Sequence, residues 1–113
     1  MSSSELKLTP EDLLAGADAV FDVAVPREVL RPGNGAETEA KIVTLAPISI
    51  GTFQLIMKAA RDDAGLIPLL MIKESLREPA LSLEQVKRMH LGLVNFLIKN
   101  IRAISGLAEK KSP

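Results

Sequence analysis

Only a handful of side chains in this sequence could do chemistry, and none has the company that chemistry needs. His90 is the one imidazole. It stands in the run Arg88-Met89-His90-Leu91, on or beside the apolar line of a predicted helix. A zinc site needs several convergent ligands, and a general base needs a nucleophile or a substrate to serve. With no second histidine and no cysteine in the chain, His90 reads as a structural side chain. Asp62 and Asp63 are adjacent carboxylates, but neighbouring acids at a helix boundary are explained by capping and by the helix dipole. Glu74 with Arg77 or Glu78, and Lys87 with Arg88, have the composition of a solvated helix surface. Arg31-Pro32-Gly33-Asn34-Gly35 has the glycines of a phosphate loop without its lysine or its strand–loop–helix setting. The residues therefore predict no catalytic site, no metal site and no cofactor. The chain reads as a non-enzyme whose work is to touch another protein.

Composition narrows the partner. The 113 residues allow one domain. Fourteen basic and fourteen acidic residues cancel, and phenylalanine, present three times, is the only aromatic type. A neutral chain poor in stacking side chains has no footprint for a nucleic-acid backbone or for unpaired bases. Lack of cysteine excludes a disulfide framework. Met1-Ser2-Ser3-Ser4-Glu5 has no basic start leading into an apolar stretch, and no apolar run reaches the roughly 18–20 residues that span a bilayer. The expectation is a soluble, cytoplasmic protein with no membrane contact.

Hydrophobic period organises the chain into a β part and a helical part. Residues 1–8 are polar and serine-rich and read as mobile, as do residues 108–113. Thr9-Pro10-Glu11-Asp12 is a helix start, with a capping hydroxyl, a proline in the first turn and acids at the positive end of the dipole; Gly16 predicts that this helix is short. Phe21, Val23 and Val25 alternate with polar or small residues up to Pro26, and Lys41-Ile42-Val43-Thr44-Leu45-Ala46 is a second β-branched run closed by Pro47. The turn-rich stretch from Arg31 to Glu39 makes these an antiparallel hairpin over about residues 19–47.

From Ser49 to Gly106 the pattern is helical. Ser49 or Thr52 caps a helix carrying Ile50, Phe53, Ile56, Met57 and Ala60. A second helix follows Asp62-Asp63, tolerates Pro68 near its start and runs to about Arg77. After the break at Glu78-Pro79-Ala80, Ser82 and Gln85 form a capping box for one long final helix that closes at Gly106. The predicted fold class is α+β, a small antiparallel hairpin packed beside a three-helix, mostly α C-terminal bundle.

Two stretches carry more apolar surface than one packing contact uses. Leu66-Ile67-Pro68-Leu69-Leu70-Met71-Ile72 is seven apolar residues in a row, and a helix that is apolar all round is either central or covered by another protein. The final helix carries one line through Val86, Met89, Leu93, Leu97 and Ile101, and a second through Leu91, Val94, Ile98 and Ile104. With the first line assigned to the core, the second becomes a docking surface; the alternative is that both lines are buried, by the hairpin on one side and the oily helix on the other. The protein-binding candidates are therefore Leu91, Val94 and Ile98 on the final helix and Leu69 and Ile72 on the oily one, with self-association as a further expectation.

Val23-Ala24-Val25-Pro26-Arg27-Glu28-Val29-Leu30, followed after a polar loop by Val43-Thr44-Leu45-Ala46-Pro47-Ile48-Ser49-Ile50-Gly51-Thr52-Phe53, resembles the strand pair that hands over to a helix in small tail-assembly proteins of tailed bacteriophages and related contractile injection particles. The ending from Glu78-Pro79-Ala80-Leu81-Ser82-Leu83-Glu84-Gln85-Val86 to Ile101-Arg102-Ala103-Ile104-Ser105-Gly106-Leu107 is similar to that of their tail-assembly chaperones. The resemblance spans about residues 18–107. It implies a protein that binds tape-measure or tube subunits before assembly and brings no catalytic motif with it. Two other readings stand beside it. One is a structural accessory subunit, from baseplate or tail, that stays in the particle. The other is a small ligand-binding or regulatory domain in which His90, Asn95 and Asn100 would orient a ligand.

Overall fold

The computed structural model describes residues 6–33 and 40–107. The expected mobile ends at 1–8 and 108–113, and the tip of the hairpin, lie wholly or partly outside these residues. The described residues form a three-stranded antiparallel sheet and six helices, an α+β fold.

Helix α1 (Pro10–Asp18) begins where its sequence requires. Thr9 Oγ1 accepts the Asp12 N–H at 3.1 Å, and the Asp12 carboxylate accepts the Thr9 N–H at 2.9 Å, so each residue closes an amide that the first turn leaves open. Gly16 does not stop it. Space around Gly16 is open, and a glycine in a solvated helix costs only about 1 kcal/mol of propensity.

Strands β1 (Phe21–Val25) and β2 (Lys41–Leu45) pair from Phe21 opposite Leu45 to Val25 opposite Lys41. Alternation turns Val23 and Val25 to the same face as Val43 and Leu45, and Val25 and Leu45 are fully buried there. Asp22, Ala24, Ile42 and Thr44 take the outer face, where Thr44 donates its hydroxyl hydrogen to Asp22 Oδ1 across the ladder at 2.9 Å. One turn of helix, α2 (Arg27–Leu30), follows β1 directly after Pro26; the sequence reading has only an extended exit at this point.

A third strand corrects the expected hairpin. Helix α3 (Ile50–Ala59), capped by Ser49, leads to α4 (Leu66–Ser75), which stops at Ser75 rather than Arg77, and the chain passes at once into β3 (Leu76–Glu78) beside β2. The cause is a pair of bonds at the junction. Ser75 donates its hydroxyl hydrogen to the Ala46 carbonyl at 2.6 Å, and the Ala46 N–H donates to the Ser75 carbonyl at 2.8 Å. Both residues are buried, so a further helical turn would strand these groups without partners.

The expected single long helix is also broken. Helix α5 (Leu83–Val86) has the predicted capping box, with Ser82 Oγ accepting the Gln85 N–H at 3.2 Å and Gln85 Oε1 accepting the Ser82 N–H at 3.0 Å. It ends after one turn, and α6 (Leu91–Ile104) starts afresh behind His90. Gly106, at a φ of 85°, closes α6 as expected: the Gly106 N–H reaches the Ala103 carbonyl and the Leu107 N–H reaches that of Arg102.

Helix α4 lies at the centre, packed on α3, α5 and α6. Ile72, Val86, Leu97 and Ile101 meet Leu45, Ile56 and Leu76 in one core. Helix α1 has no buried residue and stands off this body. The radius of gyration is accordingly 16.9 Å, against about 13 Å for a compact chain of this length.

Candidate functional site

His90 works as a cap. Its Nδ1 accepts the Leu93 N–H at 3.2 Å, which makes it the first acceptor of α6. The Nε2 atom lies 2.7 Å from the Val29 carbonyl oxygen; a carbonyl can only accept, so Nε2 carries the proton and donates it. Both ring nitrogens are thereby used, and His90 ties α2 to the start of α6. Asp63 accepts the Gly65 N–H at 3.1 Å, an Asx-type turn ahead of α4 rather than a cap of its first residue. Among the described residues, no group of three or more histidine, cysteine or acidic side chains is placed to hold a metal ion. Asn100 turns back on its own helix and donates to the Phe96 carbonyl at 2.9 Å, and Asn95 faces solvent. His90, Asn95 and Asn100 therefore do not converge on a ligand.

The predicted docking residues separate. Ile72 is fully buried and Val94 retains 8% of its surface, so neither can present a surface to a partner. Leu69 and Ile98 are half-buried and pack against the core; of the five, Leu91 alone is open, with 80% of its surface exposed. The physical reason is the break at His90. With α6 starting at Leu91, Val94, Leu97 and Ile101 fall at steps of three and four and form the inward line, whereas Val86 and Met89 belong to the preceding segment. The line assigned to the core and the line assigned to docking thus both contribute to one core.

Open apolar surface lies elsewhere, on α1 and α3. Leu6, Leu8, Leu13 and Leu14 are exposed along the N-terminal arm, and Ile50, Leu55 and Met57 along α3. Helix α3 turns Ile56 inward, together with Ala60 just beyond its end, and its remaining apolar residues exceed what one buried stripe can use. That excess is visible in Ile50-Gly51-Thr52-Phe53-Gln54-Leu55-Ile56-Met57, where the apolar residues spread well beyond one stripe and Leu55 points away from Ile50 and Met57.

Beside the start of α3 is an open groove of about 370 Å³, lined by Ile48, Ile50, Phe53, Met71 and Leu107 with the hydroxyls of Ser49 and Ser105. Those hydroxyls have internal work. Ser105 Oγ accepts the Ile48 N–H at 3.0 Å, and Ser49 Oγ accepts the Thr52 N–H at 3.2 Å. What the groove offers is hydrocarbon. A small polar ligand would find few groups to orient it, whereas an apolar side chain needs none.

Comparison with protein-family models, with curated proteins and with solved structures gives no match to this chain. No helix among the described residues is long and apolar enough to cross a membrane.

Proposed function

We propose that this chain is a non-enzymatic, cytoplasmic protein-binding protein of the phage-type tail-assembly kind, holding a tape-measure or tube subunit before it polymerises. The observation that carries the reading is the exposed apolar surface of α3, where Ile50, Leu55 and Met57 stand open on a helix that Ile56 anchors in the core. Isolated exposed apolar residues are ordinary, but several on one rigid element beside an apolar groove are what an interface core requires. The tail-assembly partner class rests on the sequence resemblance over residues 18–107.

Co-purification of the full chain with a tape-measure or tube subunit tests the reading. Leu55→Asp with Met57→Asp removes the interaction while leaving the unfolding transition of the free protein in place. Retention of binding by this variant would sink the α3 assignment. Recovery of the chain from finished particles would instead make it a structural accessory subunit, since a chaperone leaves before completion.

A further inference from the structure

The arm and the groove complete each other, and one molecule does not bring them together. Helix α1 carries Leu13, Leu14 and Ala17 on one face, with both leucines largely exposed. The groove beside α3 is apolar, open, and has no free polar group of its own among its serine hydroxyls. Charge matches as well. Within Pro10–Asp18 the charged residues are Glu11, Asp12 and Asp18, all acidic. The groove is walled by α3, by α4 and by the turn after α6. There α3 carries Lys58, α4 carries Lys73 and Glu74 paired with each other at 3.7 Å, and the last turn of α6 carries Arg102, which leaves a basic excess. Arg102 reaches the groove mouth, donating to the Leu107 carbonyl at 3.4 Å.

Beyond Leu107 the sequence is Ala108-Glu109-Lys110-Lys111-Ser112-Pro113, which has no large apolar side chain to seat. At the other end, Ala19 is extended, with φ −78° and ψ 154°, and runs by way of Val20 directly into β1. In one copy α1 buries none of its residues.

We infer that α1 of one copy seats Leu13 and Leu14 in the Ile48–Ile50–Phe53–Met71–Leu107 groove of a second copy. Mutual exchange closes a dimer with two such contacts, a self-complementary arrangement in which each copy gives and receives the same element. The opposed charges speed the encounter. This inference goes beyond the assembly reading and holds whatever external partner the protein serves.

The full chain tests it in two ways. At about 0.1 mM, where contacts of modest affinity are populated, sedimentation should give a species larger than the monomer. Leu13→Gln with Leu14→Gln should return it to a monomer with an unchanged unfolding transition, because α1 buries nothing in its own body. Because the sequence has no cysteine, a Leu13→Cys chain mixed with an Ile50→Cys chain should form the mixed disulfide in preference to either homodisulfide. A monomeric parent, or a glutamine variant that stays associated, overturns the inference. So does a dominant Leu13→Cys homodisulfide, which would mean that arms pair with arms. Ring closure within one dilute chain carrying both Leu13→Cys and Ile50→Cys would assign the arm to its own groove instead.

Discussion

His90 and Val29, 61 residues apart, are joined by a hydrogen bond of 2.7 Å from the imidazole to the backbone carbonyl. Since the other ring nitrogen caps α6, one side chain both starts the last helix and holds the turn that follows β1. His90→Ala removes both bonds and should cost about 1–3 kcal/mol. His90→Asn restores an acceptor for the Leu93 amide but not the reach to Val29, and should recover about half of that. Chemical denaturation measures both, and faster amide exchange in α2 should accompany each. Binding to a protein partner, measured well below the unfolding transition, should be unchanged.

Ser75 and Ala46 form the second long-range fastening. Ser75→Ala leaves the buried Ala46 carbonyl without the hydroxyl that donates to it. The expected loss is about 1–3 kcal/mol, with β3 amides exchanging sooner than those of α6. An unchanged denaturation midpoint would mean that the carbonyl finds another donor.

The Asp12 carboxyl titrates below the usual carboxylate range, chiefly because it accepts the Thr9 N–H and secondarily because of the Thr9 hydroxyl. A carboxyl whose folded value is depressed contributes above its unfolded value, about 3.9, and loses that contribution as pH falls through the folded value. Acidification should therefore fray α1 while the body stays folded. Asp12→Asn should remove that step from a circular-dichroism titration.

Val94 and Leu91 are three residues apart on α6 and differ tenfold in exposure, 8% against 80%. Val94→Asp puts an uncompensated charge into the core and should cost about 3 kcal/mol or more, abolishing cooperative unfolding. Leu91→Asp should stay within about 0.5 kcal/mol of the parent. A folded Val94→Asp protein would place this line at the surface after all.

Much of the architecture was legible from local chemistry. Thr9, Ser49 and Ser82 announce helix starts through side chains that compete for the first free amides, and the alternation from Phe21 to Val25 announces a strand. Strand β3 was not legible, because Leu76-Arg77-Glu78 has no β-branched residue and its pairing depends on Ser75 meeting Ala46, a contact that no local pattern records. The break before α6 was hidden because Met89 and Leu93 continue the apolar period across it, and because imidazole is an uncommon cap. The site was the least legible part. Periodicity shows that Leu13, Leu14, Ile50 and Met57 share faces with other apolar residues, but whether a face is covered depends on where the other elements come to rest. The same limit placed Ile72 and Val94 among the docking residues when both are core.

The ladder between β2 and β3 is two residue pairs long, and it follows α4 without a connecting residue. This seam sets an order of assembly in time. Helices α3 to α6 are neighbours in sequence and can collapse early, carrying β3 into place as the end of α4. The pairing of β1 with β2 must first close the long connection over residues 26–40, whose entropy is spent before any contact rewards it. The hairpin should therefore form last and peel away first, and pulse-labelled exchange should show Ile101 protected before Val23.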